Sequence, residues 1–446
     1  MTSAPTSRPT TNLPVAIPAG APSGAPGPTA GPRTIAGSIP GARSIVSRLL
    51  HGTPGRMRLY MALGVLAAIV LGAVGANALL SSQAAVERAA NNTAQVVRAQ
   101  SIHVDLLRAD AVATNAFLIG GLETPESRAR YQDAMSRAAA GVAEAAAAQP
   151  ADGTALGALS QQVQTYAALV EQARTNNRLG LPVGAQYLTQ ASAGLRADAI
   201  PIITAVVDAN EERARAEFDR SNSSWQLAIG LVALIGLVTI AIWLAKRTHR
   251  YLNGSLTAAI ALLLVALVFT LVQVAGVGSA TRAVADGSFG QTVTLAEATT
   301  AANDARANES LTLIRRGSGK ANEDSWKADD VTVRNALTGV HDTTLADKWG
   351  AYKEVHEQVR DLDDNGHWED AVAMSTDASA KGSDGTFTTF DVAVTQARDA
   401  AGKDAVDRLQ GLAGTAPVAA LGVALAALLA AWLVVRGIGQ RIEEYR

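Results

Sequence analysis

The chain has 446 residues, 48% of them apolar and only 4% aromatic, with a net charge of −2. It contains no cysteine, which excludes a disulfide scaffold, a thiolate zinc site and a cysteine nucleophile, and its bland net charge makes no case for a nucleic-acid partner. The charge is unevenly spread. Residues 1–58 hold six arginines and no acid, whereas residues 81–224 hold 15 acidic and 12 basic residues and residues 279–416 hold 23 and 14.

Residues 1–58 form a basic tail whose first 44 residues are rich in Pro, Gly, Ala, Ser and Thr. Such a segment cannot bury enough surface to offset chain entropy and is expected to be disordered. Four uncharged apolar runs follow along the chain, at 59–80, 225–244, 256–277 and 417–435, each long enough to cross a bilayer. Ala76-Asn77-Ala78 has the look of a signal-cleavage site, but the leader before it is too long for one. Basic residues favour the cytoplasmic side. The tail, the turn at 245–255 (Lys246, Arg247, Arg250) and the end at 436–446 are therefore expected inside, and the segments 81–224 and 278–416 outside. Gly64, Ala68, Gly72 and Ala76 recur every four residues and make a close-packing face, within the protomer or across a homodimer.

In the first external segment a helical pattern runs from Ser81 to Ile119 and breaks at Gly120-Gly121. Thr124-Pro125-Glu126 starts a second helix to about Ala148, and a third runs to Arg178 with Leu159, Val163, Tyr166 and Val170 on one stripe. A fourth runs from Val183 toward the second span, with a kink expected at Pro201. The second external segment repeats this plan. A helix from Ala280 to Arg316 breaks at Gly317-Ser318-Gly319, a second carries Trp326, Val333 and Leu337, and a third carries Trp349, Tyr352, His356 and Val359. A fourth begins at His367 and breaks at Lys381–Gly385, and a last leads from Thr386 into the fourth span.

The repeat is visible residue by residue. Tyr166, Glu171, Gln172, Arg174 and Gly180 recur as Tyr352, Glu357, Gln358, Arg360 and Gly366 at a constant offset of 186. Earlier, Asp110-Ala111-x-Ala113 matches Asp304-Ala305-x-Ala307. The expectation is a tandem duplication of span, bundle and span: an all-α integral membrane protein with four transmembrane helices and two extracytoplasmic four-helix bundles.

Chemistry is sparse. Asp361, Asp363, Asn365, Gly366 and Glu369 fit the opening of a calcium loop, but the twelfth position is Val372 instead of a bidentate Glu. That leaves a weak cation candidate beside the plainer reading of a solvated turn whose Gly stops a helix. No zinc-protease, phosphate-loop or serine-hydrolase motif is present, so neither an enzyme nor a bound cofactor is expected. The spans contain no acid, Lys, Arg or His, which argues against an ion or proton pathway.

The stretch from Arg108-Ala109-Asp110-Ala111 to Phe117-Leu118-Ile119-Gly120-Gly121, with the bundle layout, resembles the ligand-binding domains of bacterial chemoreceptors and sensor kinases. The whole layout is similar to the actinobacterial GlnX-type membrane proteins. That resemblance implies a multi-pass cell-membrane signal transducer, a GlnH-type extracytoplasmic amino-acid-binding protein as input, and a PknG-type cytoplasmic Ser/Thr kinase as output. Docking is expected at the distal tips, near Gly120, Gly121, Arg315 and Arg316, and readout at Lys246, Arg247 and Arg250. The rivals are a direct small-molecule sensor and a non-signalling envelope scaffold.

Overall fold

The structure is a computed structural model that describes residues 53–119, 123–221, 225–248, 253–412, 414 and 416–443. The tail up to residue 52, Gly120, Gly121 and Arg250 lie outside the described residues, as do the side chains of Trp225 and Arg247. Among the described residues every regular element is helical, and four stretches, Gly55–Leu118, Gln226–Lys246, Gly254–Ile314 and Ser383–Glu443, contain windows long and apolar enough to cross a membrane. The fold is an all-α multi-pass membrane fold.

Helix α1, Thr53–Leu118, is a single helix of 66 residues. Its Ala-rich sequence has no proline beyond the first turn, so nothing interrupts the hydrogen-bond ladder between the first span and the end of the helical pattern. At 1.5 Å per residue it is roughly 100 Å long. Helix α2, Pro125–Ala148, starts where the sequence signal lies: the Thr124 hydroxyl accepts from the Ser127 N–H at 3.2 Å, and Pro125 fills the first turn. Helix α3, Gly153–Arg178, ends at Gly180, whose φ of +67° suits a residue without Cβ. Helices α4, Val183–Gly194, and α5, Ile200–Ser221, are joined by a π turn, Leu195–Ala199. Pro201 has no N–H to give to the carbonyl four residues back, so the expected kink takes the form of a slipped ladder just before it. These elements make the first unit, with Leu106, Tyr131, Leu159, Leu188 and Ile203 in its core.

Helix α6, Trp225–Thr248, is the second span, and α7, Gly254–Val284, the third. A π turn, Ala285–Phe289, joins α7 to α8, Gly290–Ile314. Helix α9, Lys320–Val340, and α10, Thr343–Asp364, follow, then the short α11, Trp368–Thr376, and α12, Ser383–Leu412. The core of this second unit joins Ala302, Trp326, Trp349, Tyr352 and Phe390. The break expected at Lys381–Gly385 falls earlier, between Thr376 and Ser383. The carbonyls of Asp377 and Ser379 press so closely on Gly382 and Gly385 that a Cβ at either position would collide. Helix α13, Ala416–Glu443, is the fourth span.

The spans pack around Ala68, Leu71, Leu237, Leu263, Ala427 and Val434, and turn Val232, Val265, Val272, Val418 and Leu421 outward. The small-residue face of α1 lies against α13: Gly64 faces Val434 and Gly72 faces Ala427. At the end of the spans away from the two units, the Asn253 side chain caps α7 through the Leu256 N–H and donates to the Gly437 carbonyl at 2.7 Å. The start of the third span is thereby tied to α13.

The two units are joined along their length. Helix α1 packs on α8 and α12 as well as within its own unit. Near the spans Val86, Ala89, Phe218, Phe289 and Leu409 form one apolar cluster, and at the distal end Leu118 joins Leu313, Val359 and Ala371.

Replacing Gly72 by Leu forces α1 off Ala427, and overpacking of this kind costs about 1–3 kcal/mol. A Cβ added at Gly236 would meet no other helix or side chain within 4 Å. Thermal unfolding of the full chain in detergent should show a lowered Tm for Gly72→Leu and an unchanged one for Gly236→Leu. Equal Tm values for the two variants would contradict this packing.

Candidate functional site at the seam between the two helical units

The seam is polar in its middle third. Arg108 of α1 grips both carboxylate oxygens of Asp391 of α12, at 3.0 and 2.9 Å, and donates to the Thr395 hydroxyl at 2.8 Å. Asn303 of α8 donates to the same Asp391 at 3.0 Å. Arg196, inside the π turn of the first unit, donates to Asp110 at 2.8 Å and to Asp304 of the second unit at 2.7 Å. Asn115 of α1 accepts from Arg306 at 2.8 Å and donates to Asp384 at 3.0 Å. Such charge-assisted bonds are the strong ones where water is scarce.

Behind the seam lies Glu309, a carboxylate with no solvent exposure. A buried charge is tolerated only when it is paired and hydrogen-bonded. Glu309 accepts from Arg306 at 2.5 Å, Ser383 at 2.7 Å, Ser375 at 2.9 Å and Tyr352 at 3.1 Å. His356 Nδ1 lies 2.9 Å from its other side, and His356 Nε2 lies 3.4 Å from Glu323. Burial alone would raise the Glu309 carboxyl, but Arg306 and His356 outweigh it and hold it down to about 2. For His356 burial would lower the imidazole, and the bonds to Glu309 and Glu323 raise it instead. A ring facing a carboxylate at each nitrogen is held as the imidazolium, and the Trp326 ring stacks on it at 3.6 Å.

A second titrating cluster sits beside Arg196. The Asn308 amide reaches both Asp304, at 3.4 Å, and Asp329, at 3.3 Å. Burial, and then the nearby Asp304 charge, push the Asp329 carboxyl up to about 7.

The repeat signature divides by role. Tyr166 donates to Asp110 at 3.3 Å, as Tyr352 donates to Glu309, so each ties the third helix of its unit to a buried carboxylate on the first. Arg174 donates to Glu123 at 3.0 Å and lies over the Tyr131 ring at 4.0 Å, while Arg360 lies 3.5 Å from Glu323 and pairs with Asp363 at 2.6 Å. Each arginine thus fastens the third helix to the start of the second. Glu171, Gln172, Glu357 and Gln358 face outward, and Gly180 and Gly366 supply turns, at φ +67° and +83°. Asp110 and Asp304, paired in the sequence repeat, meet on the one guanidinium of Arg196.

The acidic turn is occupied by its own contacts. Asp363 pairs with Arg360, Asn365 donates to Asp361 at 3.1 Å, and Glu369 lies in the first turn of α11. Among the described residues no three His, Asp or Glu side chains converge as a metal cage. Of the tip residues, Arg315 caps α8 and Arg316 lies over the Trp368 ring at 3.7 Å. Lys246 is exposed on α6.

Between the units, α1 and α2 on one side and α8 and α12 on the other enclose a cleft of about 520 Å³. Arg108, Asp391 and Asp384 lie on its walls with apolar Val112, Phe387 and Val392. Sequence reasoning did not single out this seam. Arg306 and Glu309 are three apart, a spacing that reads as a solvated helix-surface pair.

Asp329 has a folded pKa above the ordinary 3.8, so its contribution to stability is present at low pH and lost as pH rises through about 7. Asp329→Asn removes the repulsion from Asp304 and should raise the Tm of the full chain at about pH 8 while leaving it unchanged near pH 4. His356 is likewise raised, so its stabilisation is fully present below 6.5 and fades as pH rises through its folded value. His356→Gln should therefore cost most below about pH 6.5. Both are read from unfolding curves across pH, and flat differences between variant and parent would refute the assignment.

Residues 85–219, from the second half of α1 into α5, match the family described as an actinobacterial sensor domain. No curated protein and no solved structure matches the chain. The first helical unit is therefore similar to a sensor domain, carried on a multi-pass membrane chain.

Proposed function

We propose that this protein is a transmembrane signal transducer of the cell membrane, relaying the state of an extracytoplasmic amino-acid-binding protein of GlnH type to a cytoplasmic Ser/Thr kinase of PknG type. The observation that carries the reading is α1. One uninterrupted helix forms the first span, a wall of the first unit and a wall of the seam. A displacement at its distal end has no loop in which to dissipate before it reaches the membrane.

The orientation follows from charge: the basic tail, the central turn and the end of the chain face the cytoplasm, and both helical units face outward. The distal end of the first unit supports docking. Ile119, Leu179, Leu181 and Val183 are exposed there, Leu179 by 68%, and clustered apolar side chains on a surface favour a protein partner. Docking shifts the equilibrium by the difference in the partner's affinity for the two states of the receiver. On the other side Asn253, at the start of α7, is bonded to the Gly437 carbonyl of α13, so the third and fourth spans are tied together at that end. The protein performs no catalytic step in this scheme.

Leu179→Asp with Leu181→Asp adds charge to the docking face without touching the core. Capture of the binding protein by the purified full chain should fall by more than about 10-fold, the effect of losing a central apolar contact, with helical content unchanged. In cells, the same variant should blunt phosphorylation of the kinase's substrates when Asp or Glu is added, and neutralising Lys246, Arg247 and Arg250 should do so while capture persists. Undiminished capture by the tip variant would sink the docking arrangement.

A further inference from the structure

A proton-operated contact at the seam goes beyond this docking scheme. We propose that Asp329 of α9, with Asp304 of α8 and Arg196 of the first unit, forms a proton sensor, in which gain or loss of one proton at the carboxyl pair sets how the two units sit against each other. The proton is then a second input, independent of any docked protein. The orientation proposed above makes it a reading of the outer medium, and the sensor itself does not depend on that orientation.

The contact is built around Asn308, which is only 3% exposed. Its Oδ1 accepts from the Asn322 amide at 3.0 Å. That bond fixes which way the Asn308 amide faces, and its Nδ2 is turned to two carboxylates, Asp304 at 3.4 Å and Asp329 at 3.3 Å. Acids that share one site cannot both ionise freely, so one of them keeps its proton into the neutral range. Arg196 grips Asp304 directly, at 2.7 Å, so Asp304 stays charged and Asp329 holds the proton. Burial, and then the Asp304 charge, raise the Asp329 carboxyl, while Asn308 and Arg196 pull the other way. Behind Arg196 lies Asp110 of α1. With the proton in place, Arg196 faces one charged acid in its own unit and one across the seam. Once the proton leaves, the second unit presents two negative charges to that guanidinium and the first unit presents one. The guanidinium is drawn toward the second unit, while Asp110 stays held by Tyr166 and Ser192. Arg196 lies in the π turn, where the backbone ladder has already slipped, so the segment that carries it can follow. The helices around this contact, α1, α5 and α8, lead to the first, second and third spans.

The test uses the full chain in nanodiscs, spin-labelled at two introduced cysteines, Gln172→Cys in the first unit and Gln358→Cys in the second. Both positions face outward, and the chain has no cysteine of its own to interfere. The distance between the labels should shift by about 1–2 Å or more, the size of helix displacements at such interfaces, between about pH 5.5 and pH 8.5. The shift should follow a one-proton curve with its midpoint at about 7. Asp329→Asn has the charge of the protonated form and should hold the low-pH distance at both pH values. Asp329→Ser, smaller and also neutral, repeats the test should the new amide disturb Asn308. His356 faces a different pair of acids, Glu309 and Glu323, so His356→Gln should keep the transition. An unchanged distance in the parent, a transition that persists in either folded neutral variant, or one abolished by His356→Gln would overturn the proposal. No binding protein is present, so these results are independent of whether the tips dock one.

Discussion

A guanidinium shared between carboxylates on two helices holds those helices at a fixed separation, and Arg196 is shared between Asp110 of α1 and Asp304 of α8. The three helices that meet there lead to three different spans. Arg108 and Asp391 bring in α12, which leads to the fourth. Every span is thus connected, through one helix, to a polar seam a few side chains wide. Removing one member of such a pair leaves its partner buried and uncompensated, which costs far more than the pair contributes. The arrangement of the two units relative to each other rests on this constraint.

The two units have the same order of elements but spend their polar residues differently. In the first, Asp110 is satisfied by Tyr166, Ser192 and Arg196, and the last of these crosses the seam. In the second, Glu309 is satisfied entirely from within by Arg306, Ser375, Ser383, Tyr352 and His356. The break between α11 and α12 makes this possible, because it brings Ser375 and Ser383, from the two sides of the interruption, onto one carboxylate oxygen. The first unit has a π turn at the corresponding stage and no such interruption. In both units, then, the buried acid is satisfied from within, and in both the arginine that serves it also reaches across the seam, Arg196 to Asp304 and Arg306 to Asn115.

How far the sequence exposes this depends on the kind of signal. The spans, the Thr124 cap, the stops at Gly180, Gly317 and Gly366 and the disturbance at Pro201 were legible, because each follows from local chain chemistry that tertiary contacts seldom override. The small-residue face at Gly64 and Gly72 was legible as a packing face, but its partner, α13, was not. The repeat pointed to Tyr166 and Tyr352 as core and to Asp110 and Asp304 as equivalent. It could not show that the two aspartates share one arginine. Nothing local marked Arg108, Asp384 and Asp391 as partners across a seam, since periodicity separates polar from apolar faces and says nothing of a polar face that meets another polar face.

That the seam is polar at its centre and apolar at both ends bears on how it can move. Close-packed apolar contacts lose their attraction steeply when opened by less than an ångström. The clusters around Phe218 and Phe289 near the spans, and around Leu118 and Leu313 at the distal end, therefore resist separation of the units. Ion pairs between long side chains follow small displacements more readily, because rotamer changes keep charge facing charge. The motion of lowest cost is then a roll or slide of α1 against α8 and α12 about the two apolar ends, with the guanidiniums re-aiming across the gap. Such a motion changes the shape of the central cleft without exposing either core. It also turns the Gly64–Gly72 face of α1 against α13, where small residues let the helices approach closely.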